Sequence, residues 1–99
     1  MHATLRRLKC APGQAGEVAR LIKEEYLPQL AGVPGVVSYT LVHPSQDEIT
    51  SIGVFTTQEG AVQANAIAQT WVRERLASLG ASPLEALEGD VLVHSTFPV

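Results

Sequence analysis

Two periods of hydrophobicity alternate along this chain. From Ala3 to Cys10 the side chains alternate as on a strand. Leu8 and Cys10 fall on one face, and Leu5, Arg7 and Lys9 on the other, a mixed pattern that a bulge or partial cover of both faces would reconcile. Ala11-Pro12-Gly13 then breaks the strand. From Gln14 to about Leu30 the repeat becomes helical: Val18, Ile22, Tyr26 and Leu30 share a stripe, and Glu17, Arg20, Lys23 and Glu24 lie opposite. Pro28 removes a backbone donor, which predicts a kinked or loosened last turn. Ala31 to Gly35 ends the helix.

Alternation returns from Val36 to His43 and again from Glu48 to Thr57, with Pro44 to Asp47 as a hairpin connection between them. Gly53 within the third strand predicts a bend or a close backbone approach. Thr57 is a candidate N-cap for a second helix reaching about Leu79, with Ala64, Ala68, Trp71, Val72, Leu76 and Leu79 on its apolar stripe and Gly80 just past its end. Ala81 to Asp90 reads as a loop, and Val91 to Phe97 as the last strand, stopped by Pro98.

The order is strand-helix-strand-strand-helix-strand, with no linker or solenoid repeat, so residues 1–99 form one domain. It predicts an α+β fold: a ferredoxin-like antiparallel sheet with both helices on one face. The other face is expected to be apolar as well, since Ile52 and Val54 oppose Ile49 and Phe55, and Val91 and Val93 oppose Leu92. Each large side chain buried there is worth roughly 1.5–3 kcal/mol. Two such sheets packed about a two-fold axis would bury both, so a homodimer is expected.

Charge and composition narrow the partners. Seven Lys and Arg against ten Asp and Glu give a net charge of −3, which does not attract phosphate backbones over long range. Recognition of RNA on such a sheet needs aromatics on the first and third strands, and only Phe55 is available. No nucleic acid is expected as partner. No apolar run approaches the ~20 residues that span a bilayer, and the first ten residues lack the apolar core of a signal peptide. The single cysteine, Cys10, cannot form an internal disulfide. A cytoplasmic protein is the expectation, with Cys10 a small buried thiol. Three scattered histidines and one cysteine have no metal-ligand spacing, so no metal is expected. There is neither a G-x-S-x-G elbow nor a glycine-rich phosphate loop.

Punctuation along the chain carries a resemblance. Lys9-Cys10-Ala11-Pro12-Gly13-Gln14, Leu27-Pro28, Pro34-Gly35-Val36-Val37-Ser38, Trp71-Val72-Arg73-Glu74-Arg75-Leu76-Ala77 and Glu88-Gly89-Asp90-Val91-Leu92-Val93-His94 together resemble the antibiotic-biosynthesis-monooxygenase group of dimeric α+β barrels. The resemblance implies a homodimer with a pocket in each subunit between sheet and helices. It implies oxidation of polycyclic phenols by oxygen without metal, flavin or other cofactor, with an Asn and a Trp of the second helix involved. Asn65 and Trp71 occupy that helix. Six residues separate them, so they sit about 120° apart around the axis and could line two sides of a groove. The Asn on the first strand and the His on the second helix of haem-degrading relatives have no counterpart.

Each candidate has a plain structural alternative. Trp71 could wall a pocket or stack on an aromatic substrate, or be a large core residue of the stripe. Asn65 could donate its amide to a substrate oxygen, or simply face water. His94, on the expected last strand, could take a phenol proton near neutral pH, or be a hydrogen-bonded structural residue. These three are the candidate catalytic residues. Tyr39, Phe55 and one of the oppositely directed pair Arg6 and Arg7, here taken as Arg6, are the candidate contacts to a small aromatic ligand. The competing reading is a ligand-binding barrel without catalysis.

Overall fold

The computed structural model describes residues 1–98. Strand β1, His2–Lys9, lies inside a four-stranded antiparallel sheet of order β2-β3-β1-β4, where β2 is Val36–Ser45, β3 Glu48–Phe55 and β4 Ser82–Asp90. Two helices pack on one face, and the fold is α+β and ferredoxin-like. No helix among the described residues is long and apolar enough to cross a membrane.

The alternation along β1 decides what each face receives. His2, Thr4, Leu8 and Cys10 are buried and Arg6 half-buried on the helix side, whereas Leu5, Arg7 and Lys9 are exposed on the other. β1 pairs with β3 without interruption, so its mixed pattern needs no bulge there. Its register shifts against β4, between Arg7 and Leu8. Arg7 uses the open face to bridge three strands, donating to Glu48 and Glu85.

The first helix runs as an α-helix over Ala15–Leu21, a wide π turn over Ile22–Tyr26, and α again over Leu27–Leu30. Pro28 gives the reason. A proline ring collides with the carbonyl four residues back in a regular helix, and the wide turn just before it makes room. The expected loosening is real but lies one turn earlier than Pro28. On its wet side Arg20 bonds Glu17 and, at 2.6 Å, Glu24.

The second helix is α over Gln58–Trp71, π over Val72–Leu76 and 3-10 over Ala77–Leu79. Thr57 caps it, its hydroxyl accepting from the Gly60 N–H at 3.2 Å. Gly80 ends it in the left-handed conformation, at φ 75°, as its position predicts. Arg75 ties the two helices with a bidentate pair to Glu25, at 2.7 and 2.8 Å.

Three boundaries differ from the sequence pattern. β2 continues through Pro44 to Ser45, with a register shift between Val42 and Ser45. β3 stops at Phe55, not Thr57. The main correction is the last strand. Ser82–Asp90, expected as a loop, is β4, while residues 91–98, expected as the strand, lie outside the sheet. Pairing explains this. β4 runs antiparallel to β1 from Lys9 back to His2, where the partner strand ends. Val91 makes one further bond, its N–H to the Met1 carbonyl at 2.9 Å, and residues 92–98 pair with no strand among the described residues. Pro83 is tolerated because β4 is an edge strand.

The core lies between helices and sheet, around Phe55, Leu76, Val18 and Cys10, all fully buried. Burial pushes the Cys10 thiol up, with Asp47 adding to the effect.

Candidate functional site

Between the helices and the sheet lies a chamber with four aromatic rings in its wall. Tyr26 comes from the first helix, Trp71 from the second, Tyr39 from β2 and Phe55 from β3. Tyr26 is the hub, its ring centroid 5.8 Å from that of Tyr39 and 5.6 Å from that of Trp71, both tilted. Both π turns open onto this space: Ile22 and Tyr26 bound the first, and Trp71 and Val72 sit at the start of the second. Widened turns of this kind recur at functional sites because they re-aim side chains. Gly53 supplies floor without bulk, since a Cβ there would meet the Phe55 ring at 3.1 Å and the Thr4 hydroxyl at 3.0 Å.

Arg6 is the one charged side chain lining the chamber. It is held by Asn65: Nε donates to the amide oxygen and Nη2 to the backbone carbonyl, each at 3.2 Å. The Asn65 amide nitrogen in turn donates to Glu88 on β4 at 3.2 Å. His2 continues this line of polar groups. Its Nε2 is 3.9 Å from Glu88 and its Nδ1 3.4 Å from Asp90, and Nε2 is buried without a hydrogen-bond partner.

Burial sets the chemistry of the tyrosines. It pushes Tyr39 up to about 12, partly opposed by the Ser51 hydroxyl and Arg6. It also raises Tyr26, again against Arg6. Both phenols stay protonated at neutral pH and act as donors, not bases. Because the folded value of Tyr39 lies above the unfolded one, its contribution to stability is full below pH ~10 and is lost as pH rises toward 12. Thermal unfolding followed from pH 8 to 11.5 should show the melting temperature falling above pH ~10, and Tyr39→Phe should flatten that fall; an equal slope in both proteins would refute it.

The Trp71 indole N–H is buried and makes no hydrogen bond within 3.5 Å. It faces the Glu25 carboxylate closely enough to help Arg75, the main cause, hold that carboxyl below its ordinary range. Trp71 therefore offers ring surface to the chamber rather than its donor.

The chamber itself is small, about 30 Å³, room for roughly one water. The ligand-sized pocket expected between sheet and helices is nearly filled by these rings. A cleft of about 470 Å³ adjoins it toward β4 and shares Arg6, Leu8 and Val72 as a dividing wall.

Of the residues singled out from sequence, Arg6, Tyr39, Phe55, Asn65 and Trp71 converge on the chamber. His94 does not. It is exposed in the segment after β4, because the strand that was to carry it is not there. Tyr26, Glu88 and His2 were missed. In the sequence Tyr26 shows only as a stripe residue, four after Ile22, and Glu88 falls in the stretch that reads as a loop. Among the described residues no group of three or more His, Cys, Asp or Glu could hold a metal ion.

No protein-family model matches the chain, and no curated protein does. Solved structures do. A monooxygenase from the gene ActVA-Orf6 of Streptomyces coelicolor, solved with the ligand nanaomycin D, is 14% identical with a TM-score of 0.75, covering 99% of this chain and 92% of that one. SnoaB, a cofactor-independent oxygenase from Streptomyces nogalater, is 18% identical at 0.65, covering 99% and 97%. NE2512 from Nitrosomonas europaea, a protein of unknown function, is 20% identical at 0.73, covering 99% and 94%. The chain shares their fold. At such identities the likeness extends to architecture and not to reaction.

Proposed function

We propose that this chain is a cofactor-independent monooxygenase-like protein acting on a small aromatic or quinone-type molecule between sheet and helices. The observation that carries the reading is the convergence of Tyr26, Tyr39, Phe55 and Trp71 around one cation, Arg6, with Asn65 beside it. The chamber has room for about one water, so what it offers a substrate is its one cation at the wall, and a guanidinium in an apolar setting favours a phenol in its ionised form. An ionised phenol is electron-rich enough to react with oxygen directly. A ring carbon para to the phenol oxygen would lose its one hydrogen and gain one oxygen atom as carbonyl, the phenol losing its proton to give the quinone, and the second oxygen would leave with these two hydrogens as water. The substrate supplies all the electrons, so no external reductant enters the balance. In this reading Arg6, on the wall of the chamber, stabilises the negative charge and Asn65 fixes Arg6, while the chamber behind them admits a group the size of one oxygen molecule or water. A monooxygenase and a cofactor-independent oxygenase share this fold, so the architecture accommodates a reaction of this class.

Oxygen uptake by the purified, metal-stripped protein with a panel of polycyclic phenols tests this. Uptake with one phenol, reduced about tenfold or more in Asn65→Ala and in Trp71→Phe, is the expected result. Uptake equal in all three proteins would place the reaction elsewhere.

A second reading, a ligand-binding barrel without turnover, is favoured by one observation: the Asn65 amide already accepts from Arg6 and donates to Glu88. On that reading Asn65→Ala leaves ligand affinity nearly unchanged and no oxygen is consumed.

We also propose the homodimer. The sheet face away from the helices leaves Leu5 and Val42 about 40% exposed and Leu87 56% exposed, and the segment after β4 carries Leu92 and Phe97 almost fully exposed. These apolar surfaces lack cover within one chain. Sedimentation at micromolar concentration should give a dimer, and Leu5→Glu on the open face should shift it to monomer; an unchanged dimer in that variant would rule this face out.

A further inference from the structure

Beside the aromatic chamber, the cleft between β4 and the second half of the second helix has the larger volume, about 470 Å³ against about 30 Å³. The helices do not reach over β4, all of whose residues are exposed, so the sheet floor continues outward past Arg6. Leu8, Val72, Pro83 and Ala86 make the cleft apolar.

Three arginines line it: Arg6, Arg7 and Arg73. Their charges are unequally met. Arg7 is bonded to Glu48 and Glu85, and Glu85 is the one acidic residue lining the cleft. Arg6 has only the neutral Asn65. Arg73 has no ion-pair partner among the described residues, whereas Arg7, Arg20 and Arg75 are all paired with glutamates. In a chain of net charge −3, two arginines without a carboxylate border the same apolar cleft. An apolar floor with uncompensated guanidinium groups recognises a flat apolar body bearing an anionic group.

We propose that this cleft is the ligand compartment of the site, and that its ligand is an aromatic molecule carrying a carboxylate or comparable oxyanion, held by Arg73. This rests on the aromatic-substrate reading above and adds to it the place and the charge of the ligand. The ring system lies on Leu8, Val72 and Ala86, the anion meets Arg73 with the Gln69 amide beside it, and the far edge of the rings reaches Arg6 at the wall of the chamber. The acid is recognised at the outer end and the reacting edge presented at the inner end.

Calorimetric titration of the wild-type protein at pH 7 with 1-hydroxy-2-naphthoate and with 1-naphthol, an anionic and a neutral probe of the same ring system, tests the assignment. The same titrations are made with Arg73→Gln and with Lys23→Gln, the latter removing a cation from the exposed side of the first helix. The naphthoate should bind wild type at least about tenfold tighter than the naphthol, and Arg73→Gln should remove that preference while leaving naphthol affinity unchanged. Lys23→Gln should keep it. Arg73 is exposed, so the variant is expected to fold, which its circular dichroism and melting temperature check directly. Binding of both probes without preference, or a preference that survives Arg73→Gln or falls equally in Lys23→Gln, overturns the cleft assignment and leaves the aromatic-substrate reading standing. Binding of neither overturns both.

Discussion

Replacing Arg6 with Gln is expected to lower the rate constant for oxidation about 100-fold while leaving the fold intact. Arg6 is half-buried and carries the only charge on the chamber wall, and its partner Asn65 is neutral, so the charge is uncompensated before substrate arrives. Removing one preorganised group that stabilises developing negative charge costs about 10²–10³ in rate. Glutamine keeps the polar amide and similar reach, so Asn65 retains a donor and the loss reports charge more than shape. The pH profile separates the two. With Arg6 present, the rate should rise at a pH below the solution pKa of the phenol, because the cation favours the phenolate. In Arg6→Gln the rise should move up toward that solution value. A rate loss with an unmoved profile would make Arg6 a structural residue only.

Phe55→Ala should be the most destabilising single change at the site. Phe55 is 2% exposed at the end of β3, opposite His2 on β1 and Val36 on β2. Its ring is in contact range of Gly53, and its Cβ is 3.7 Å from where a Cβ on Gly60 would stand. Truncating a buried phenylalanine costs about 3–5 kcal/mol. A domain of this size holds roughly 5–15 kcal/mol in total, so the variant should sit at the margin of folding. Phe55→Leu, which refills much of the volume, should lose under about 1.5 kcal/mol. Urea unfolding followed by Trp71 fluorescence, at one protein concentration throughout because a dimer's stability depends on it, gives both values. A Phe55→Ala midpoint close to wild type would mean that the rings close over the space, and that the chamber is softer than its walls suggest.

The chain up to Gly80 is legible because hydrophobic period and punctuation agree there. Val18, Ile22, Tyr26 and Leu30 mark one helix, Thr57 and Gly80 bracket the other, and Gly53 signals the close approach seen at Phe55 and Thr4. The last strand was illegible for a physical reason. Leu84 to Glu88 is a run of Leu, Glu and Ala, residues of good helix propensity, and as an exposed edge strand it shows no buried alternation. It is a strand because β1 offers an unpaired edge, which no local pattern encodes. Val91-Leu92-Val93 has the composition of a strand but, among the described residues, only the single bond from Val91 to Met1. His94 left the site with that error, and Glu88 entered it unseen. Strand parity and helical spacing fix which side Arg6, Tyr39, Phe55 and Trp71 face, whereas Asn65, on the polar side of its helix by spacing, is reached only through the family resemblance. How little space they leave between them depends on packing, which the pattern does not report.

The most direct measurement is isotopic. Metal-stripped protein is given a phenol that it consumes, under ¹⁸O₂ in unlabelled water, and the product is weighed by mass spectrometry. One ¹⁸O atom is expected in each product molecule, at the carbon that becomes carbonyl, with the second released as labelled water. Product oxygen drawn from the solvent, or oxygen consumption across the phenol panel no faster than without protein, would contradict it.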